Sequence, residues 1–137
     1  MRKPTTTTTT TEARLTKQEY IRQGDAICAD SARKLDALPE PKSQEELFAQ
    51  LDQGGRIFRE HVDRFKALKP PVADQPTADQ LNALSDQLLI KYSEFVAANK
   101  SGDRRAGNRA EREGEAIDRQ YDQLAAQYGF VECSKDD

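Results

Sequence analysis

The side chains in this chain that could do chemistry are few. They are two cysteines, Cys28 and Cys133, a single histidine, His61, three glutamates at 111, 113 and 115, and a glycine pair, Gly54-Gly55. A histidine dyad needs a nucleophile or carboxylate at hydrogen-bond distance. The position of His61 beside Glu60 and Val62 predicts a residue that flanks a helix core with its tip in solvent. Carboxylate metal sites in bundles use Glu-x-x-His pairs projecting inward, and with one histidine neither that pattern nor His-Glu-x-x-His occurs. Glu111, Glu113 and Glu115 are interleaved with Arg109, Arg112 and Arg119, which reads as solvated ion pairs in preference to a cation site. No Gly-Lys-Ser/Thr follows Gly54-Gly55, so the pair is not a phosphate-cradling loop. No catalytic residue, metal site or cofactor is therefore expected, and the chain is not expected to be an enzyme.

Four helical segments must position these residues. Thr16-Lys17-Gln18-Glu19 fits a capping box, in which hydroxyl and carboxylate satisfy each other's backbone donors. Ile21, Gly24, Cys28, Ser31, Leu35 and Leu38 then step by three and four as a bundle seam, closed by Pro39 and Pro41. Ser43-Gln44-Glu45-Glu46 is a second capping box, and Pro70-Pro71 ends the helix behind it. Pro76 opens a third helix through Leu81, Leu84, Leu88, Tyr92 and Phe95, after which Ser101 or Asp103 caps a fourth. That helix carries Ala110, Gly114, Ile117, Tyr121 and Leu124 and ends at Gly129, a residue suited to a left-handed C-terminal cap. Short connections imply antiparallel neighbours, so the fold class is all-α, an up-down-up-down four-helix bundle. The helices fall at about 16–38, 43–69, 77–99 and 102–128 within a domain over 15–134. Residues 1–14, with seven threonines at 5–11, read as a disordered low-complexity linker, and 135–137 as a C-terminal tail.

Gly24, Gly54 and Gly114 fall on core seams, where each glycine costs about 1 kcal/mol relative to alanine. Close helix approach offsets that cost in one reading. In another the glycines and Ser31 open a small-molecule pocket lined by Tyr20, Tyr92 and Tyr121, and a third places a kink at Gly54-Gly55. Close approach is favoured.

In an up-down-up-down bundle the end of the fourth helix lies beside the start of the first. Residues 130–133, extended, reach roughly 13 Å, enough to fold back toward Cys28. A Cys28–Cys133 bond would close a loop of about 105 residues, worth roughly 4 to 5 kcal/mol in the chain-entropy model. The alternative is two unpaired thiols, one filling the core and one in a frayed tail. The bond is the favoured reading, and it points to an oxidising compartment.

Thr16-Lys17-Gln18-Glu19-Tyr20-Ile21, Asp25-Ala26-Ile27-Cys28, the Leu-Lys-Pro-Pro at 68–71, Ser101-Gly102-Asp103, and Tyr128-Gly129-Phe130 with Cys133 together carry a resemblance. Over about residues 16 to 134 the chain is similar to a recurring group of small actinobacterial exported proteins, secreted or lipoprotein-type. These have a polar Ser/Thr linker and a helical domain with a cysteine near each end. The resemblance implies export and a disulfide, and no particular activity. No signal peptide or lipobox cysteine stands at the start of this sequence, which leaves a cytoplasmic start or an export signal upstream of Met1 as the two alternatives.

Composition narrows the function classes further. In 137 residues, 33% are charged and 36% hydrophobic, with no Trp and a net charge of −3. Positive and negative residues are mixed along every segment, so the clustered positive charge that nucleic acids require is missing and no nucleic-acid partner is expected. No run of 18 apolar residues occurs, so no transmembrane segment is expected either. The leading expectation is a non-enzymatic extracytoplasmic bundle with a binding or scaffolding role at the cell surface. Its partner, protein or small molecule, and its oligomeric state are left open. The alternatives are a small-molecule-binding bundle with a pocket at the seam glycines, and a cytosolic interaction protein with free thiols.

Overall fold

The computed structural model describes residues 14–135, and these form four α-helices that pack against one another. We label them α1 (Lys17–Asp36), α2 (Gln44–Lys66), α3 (Gln75–Ser101) and α4 (Arg104–Tyr128); a 3-10 turn at Val72–Asp74 leads into α3. Consecutive helices are spatial neighbours, as short connections require, and no strand occurs among the described residues. The all-α four-helix bundle is the fold the periodicity predicts. Residues 1–13 of the expected linker, and Asp136 and Asp137 of the expected tail, lie outside the described residues. Arg14 is described and is tied down: its guanidinium donates to the Pro70 carbonyl at 2.7 Å and to Gln75 Oε1 at 3.0 Å. Leu15 N–H donates to the Lys69 carbonyl at 2.7 Å.

Local chemistry sets the helix ends. Thr16 accepts from Glu19 N–H while the Glu19 carboxylate accepts from Thr16 N–H, a complete capping box. At α2 only half of the expected box forms. Ser43 accepts from Glu46 N–H, but the Glu46 carboxylate reaches one residue further back, to Lys42 N–H at 2.8 Å. Pro76 sits in the first turn of α3, where its missing N–H has no partner to lose. Asp103 is the cap of α4, accepting from Ala106 N–H, and Gly102 (φ 77°) supplies the left-handed turn between α3 and α4.

The core is concentrated at one end. There the starts of α1 and α3 meet the ends of α2 and α4, and Tyr20, Phe65, Ala78, Leu81, Tyr121 and Ala125 are buried with Phe130 and Cys133. At the other end only small residues are buried, among them Ala98, Gly107 and Ala110 of the α3–α4 seam. Larger side chains there are half-covered: Leu47, Phe48, Leu51, Phe95 and Val96, with Leu35 41% exposed. The buried face of α1 is also rotated by about one residue from the expected seam. Tyr20, Gly24, Ile27 and Ser31 face inward, while Ile21 and Cys28 are half-buried. The ring of Tyr20 claims the interior, and Ile21 beside it takes the boundary.

Candidate functional site

The densest chemistry is where the C-terminal segment closes the bundle. Gly129, at φ 124°, adopts a positive angle that a β-carbon would strain, and turns the chain back over the bundle end. Phe130 then buries its ring between Tyr20 and Phe65, with ring centroids 5.6 Å from each. Cys133 is disulfide-bonded to Cys28 across 105 residues, with Cα atoms 5.2 Å apart. Asp25 reinforces the closure. Its carboxylate accepts the backbone N–H groups of Val131 at 3.2 Å, Glu132 at 3.0 Å and Cys133 at 3.1 Å. One carboxylate facing successive free amides is the chemistry of a helix N-cap applied to a terminal turn. Asp25 and Cys28 are three apart on α1 and so share a face, which brings carboxylate and disulfide to the same turn.

The residues considered for a pocket are dispersed. Tyr20, Gly24 and Tyr121 belong to the stapled end. A β-carbon on Gly24 would stand 2.6 Å from Phe130 Cε1 and 2.9 Å from Phe65 Cε2, so this glycine is the socket for two rings. Tyr20 is 1% exposed, and burial first, with the charges of Asp79 and Asp74 after it, pushes its pKa up to about 12. Tyr121 is raised too, by burial above all, and its hydroxyl is hydrogen-bonded with Ser85. Gly54 and Tyr92 meet elsewhere, between α2 and α3: the Tyr92 ring crosses the Gly54-Gly55 backbone and its hydroxyl donates to the Leu51 carbonyl at 2.6 Å. A β-carbon on Gly54 would stand 2.8 Å from that hydroxyl oxygen. Gly114 lies against Lys91, where a β-carbon would find ordinary contact at 3.6 Å. These residues do not surround one common cavity; at Gly24 and Gly54 aromatic side chains occupy the space the glycines leave.

Ser31 and His61 form a pair that sequence spacing conceals. Ser31 Oγ and His61 Nδ1 are 2.8 Å apart across the α1–α2 contact, the donor depending on the tautomer. The imidazole is half-buried between Phe58 and Phe65, not tipped into solvent as expected. Burial first, and the nearby Arg64 charge second, lower its pKa, against a hydrogen bond to the Ile27 backbone. Ser31 is 9% exposed. A serine so covered, its hydroxyl held by an imidazole that itself packs against two rings, serves as a satisfied buried polar contact.

The other feature is a groove of about 380 Å³ between α2 and α3, on the loosely covered side of Tyr92. Leu51, Leu89, Val96 and the Tyr92 ring make it apolar, and Arg56 and Arg59 stand on its α2 wall. Lys100 at its end is bound to Asp52 at 2.8 Å. Among the described residues no group of three or more His, Cys, Asp or Glu is arranged to hold a metal ion, and no helix is long and apolar enough to cross a membrane.

Comparison with known proteins returns nothing. No family model matches the chain, and neither a curated protein nor a solved structure does. Sequence reasoning missed Asp25 as a clamp, Arg14 as an anchor and Ser31 as the partner of His61. Asp25 had a usable signal, a carboxylate one turn from a half-cystine. The Ser31–His61 pair depends on which helix faces meet, and the Arg14 anchor on where the chain before α1 crosses the α2–α3 connection, and spacing within one helix encodes neither.

Proposed function

We propose that this chain is a non-enzymatic binding module that works outside the cytoplasm, secreted or tethered by an upstream segment and akin to the exported actinobacterial proteins it resembles. The observation that carries the reading is the Cys28–Cys133 disulfide, packed against the core and reinforced by Asp25. Structural disulfides persist in oxidising compartments and are reduced in the cytosol. A bond that joins the two ends of the domain, in a bundle with few large buried residues, has the character of a staple on an exported domain. The non-enzymatic part is supported by Ser31 and His61, whose pairing is shielded by Phe58 and Phe65. A pocket at the seam glycines has less support, because Phe130, Phe65 and Tyr92 fill the space beside them.

The test is to express the full chain behind an export signal and, in parallel, in the cytosol, quench with an alkylating agent under denaturing, non-reducing conditions, and count alkylated cysteines by mass. The expected result is none in the exported protein and an intact bond. Two alkylated cysteines in exported material would contradict it.

A further inference from the structure

We propose that the α2–α3 groove docks an acidic amphipathic helix of a partner protein; this deepens the binding reading above and rests on it. Charge is the first support. Arg56 and Arg59 are exposed at the groove, and neither forms an ion pair among the described residues, whereas Lys100 beside them is neutralised by Asp52 at 2.8 and 2.9 Å. Positions three apart on a helix bring side chains side by side, about 5–6 Å between β-carbons, which matches carboxylates three or four residues apart on a facing helix. Guanidinium forks suit such carboxylates better than ammonium groups do.

Shape is the second support, and it decides the class of occupant. Small-ligand sites bury roughly 70–90% of the ligand. This groove is more open than enclosed, so it would leave much of a small molecule wet, but it can cover one face of a helix. Its α2 wall from Leu51 to Arg59 is about 12 Å long at 1.5 Å per residue, two helical turns. Leu51, Leu89 and Val96, each half-buried, offer apolar contacts for anchors spaced i, i+3 or i+4, and i+7. Gly55 contributes as well, since a β-carbon there would stand 3.2 Å from Tyr92 Cε2 and crowd the ring.

The probes are two fluorescein-labelled helical peptides with leucines at i, i+4 and i+7, one with glutamates and one with lysines on the flanking positions. Each is titrated into the purified, oxidised chain, with backbone amide shifts followed in parallel. The expected result is saturable binding of the glutamate peptide with shifts confined to residues 51–59 and 89–100. Binding should weaken about tenfold or more in an Arg56→Glu/Arg59→Glu variant, which should bind the lysine peptide instead. Absence of binding, shifts elsewhere, or equal binding by the variant would overturn the proposal. So would laurate shifting the same amides while the peptide does not, which would assign the groove to a small anionic amphiphile, or sedimentation of the free chain as a dimer with the groove buried. Compartment is read from thiol counts and groove occupancy from these titrations, so either can fail without the other.

Discussion

The two ends of this bundle are built on different terms. At the stapled end three chemistries act on the same turn: the Cys28–Cys133 bond, the Asp25 clamp on three backbone amides, and the Phe130 ring seated against Tyr20 and Phe65. At the open end the helices meet through Gly107, Ala98 and Ala110, and larger apolar side chains are left half-covered. Large buried side chains are thus gathered at one end of the bundle, away from the flank proposed above as a docking surface. That flank, between α2 and α3, carries an apolar groove at which Arg56 and Arg59 have no ion-pair partner among the described residues.

The largest break in that asymmetry comes from the staple. Cys28→Ser/Cys133→Ser should cost about 3–5 kcal/mol, because it releases a 105-residue loop in the unfolded chain. Urea denaturation of the variant and of the oxidised protein measures the loss as a shift in midpoint.

A second comparison asks the same question of glycines in different surroundings. Gly24→Ala drives a β-carbon to within 2.6 Å of the Phe130 ring, and overpacking against rings fixed by the staple should destabilise by about 1–3 kcal/mol. Gly107→Ala and Gly114→Ala meet only ordinary contacts at 3.6 Å, so the better helix propensity should prevail and stabilise by up to about 1 kcal/mol each. Opposite signs in one thermal-denaturation series sharpen the contrast; the same sign throughout would dissolve it.

The smallest expected effect is from His61, between the two ends. Its folded pKa lies below 6.5, because burial and Arg64 disfavour the imidazolium. The unfolded chain therefore takes up a proton first as pH falls. Stability is full above about 6.5 and is lost as pH drops from there through the folded-state pKa. Urea midpoints between pH 7.5 and 5.5 should decline, and His61→Gln should flatten that part of the slope.

Much of this arrangement is legible before any coordinates. Thr16, Ser43, Pro70-Pro71, Pro76, Asp103 and Gly129 mark helix ends within a few residues of where they fall, because capping and proline chemistry are local. Topology puts the cysteine pairing within reach, since the fourth helix of such a bundle ends beside the start of the first, but it leaves two free thiols as the alternative that the Cys28–Cys133 bond resolves. The inward face of α1 is displaced by about one residue, because Tyr20 wins the interior through ring contacts with Phe65 and Phe130, far away in sequence. The groove is unreadable for a related reason. Leu51, Leu89 and Val96 have the periodicity of core residues, and no pattern within one helix says that their cover is incomplete.

Native-state hydrogen exchange measures the separation of the two ends most directly. In the oxidised protein, amides around Tyr20, Phe65, Tyr121 and Ala125 should exchange only through global unfolding. Those around Leu35, Phe48 and Phe95 should exchange faster, through openings of lower free energy, and reduction of the disulfide should narrow the gap. Equal protection at both ends, or greater protection at the open end, would contradict the concentration of stability at the stapled end.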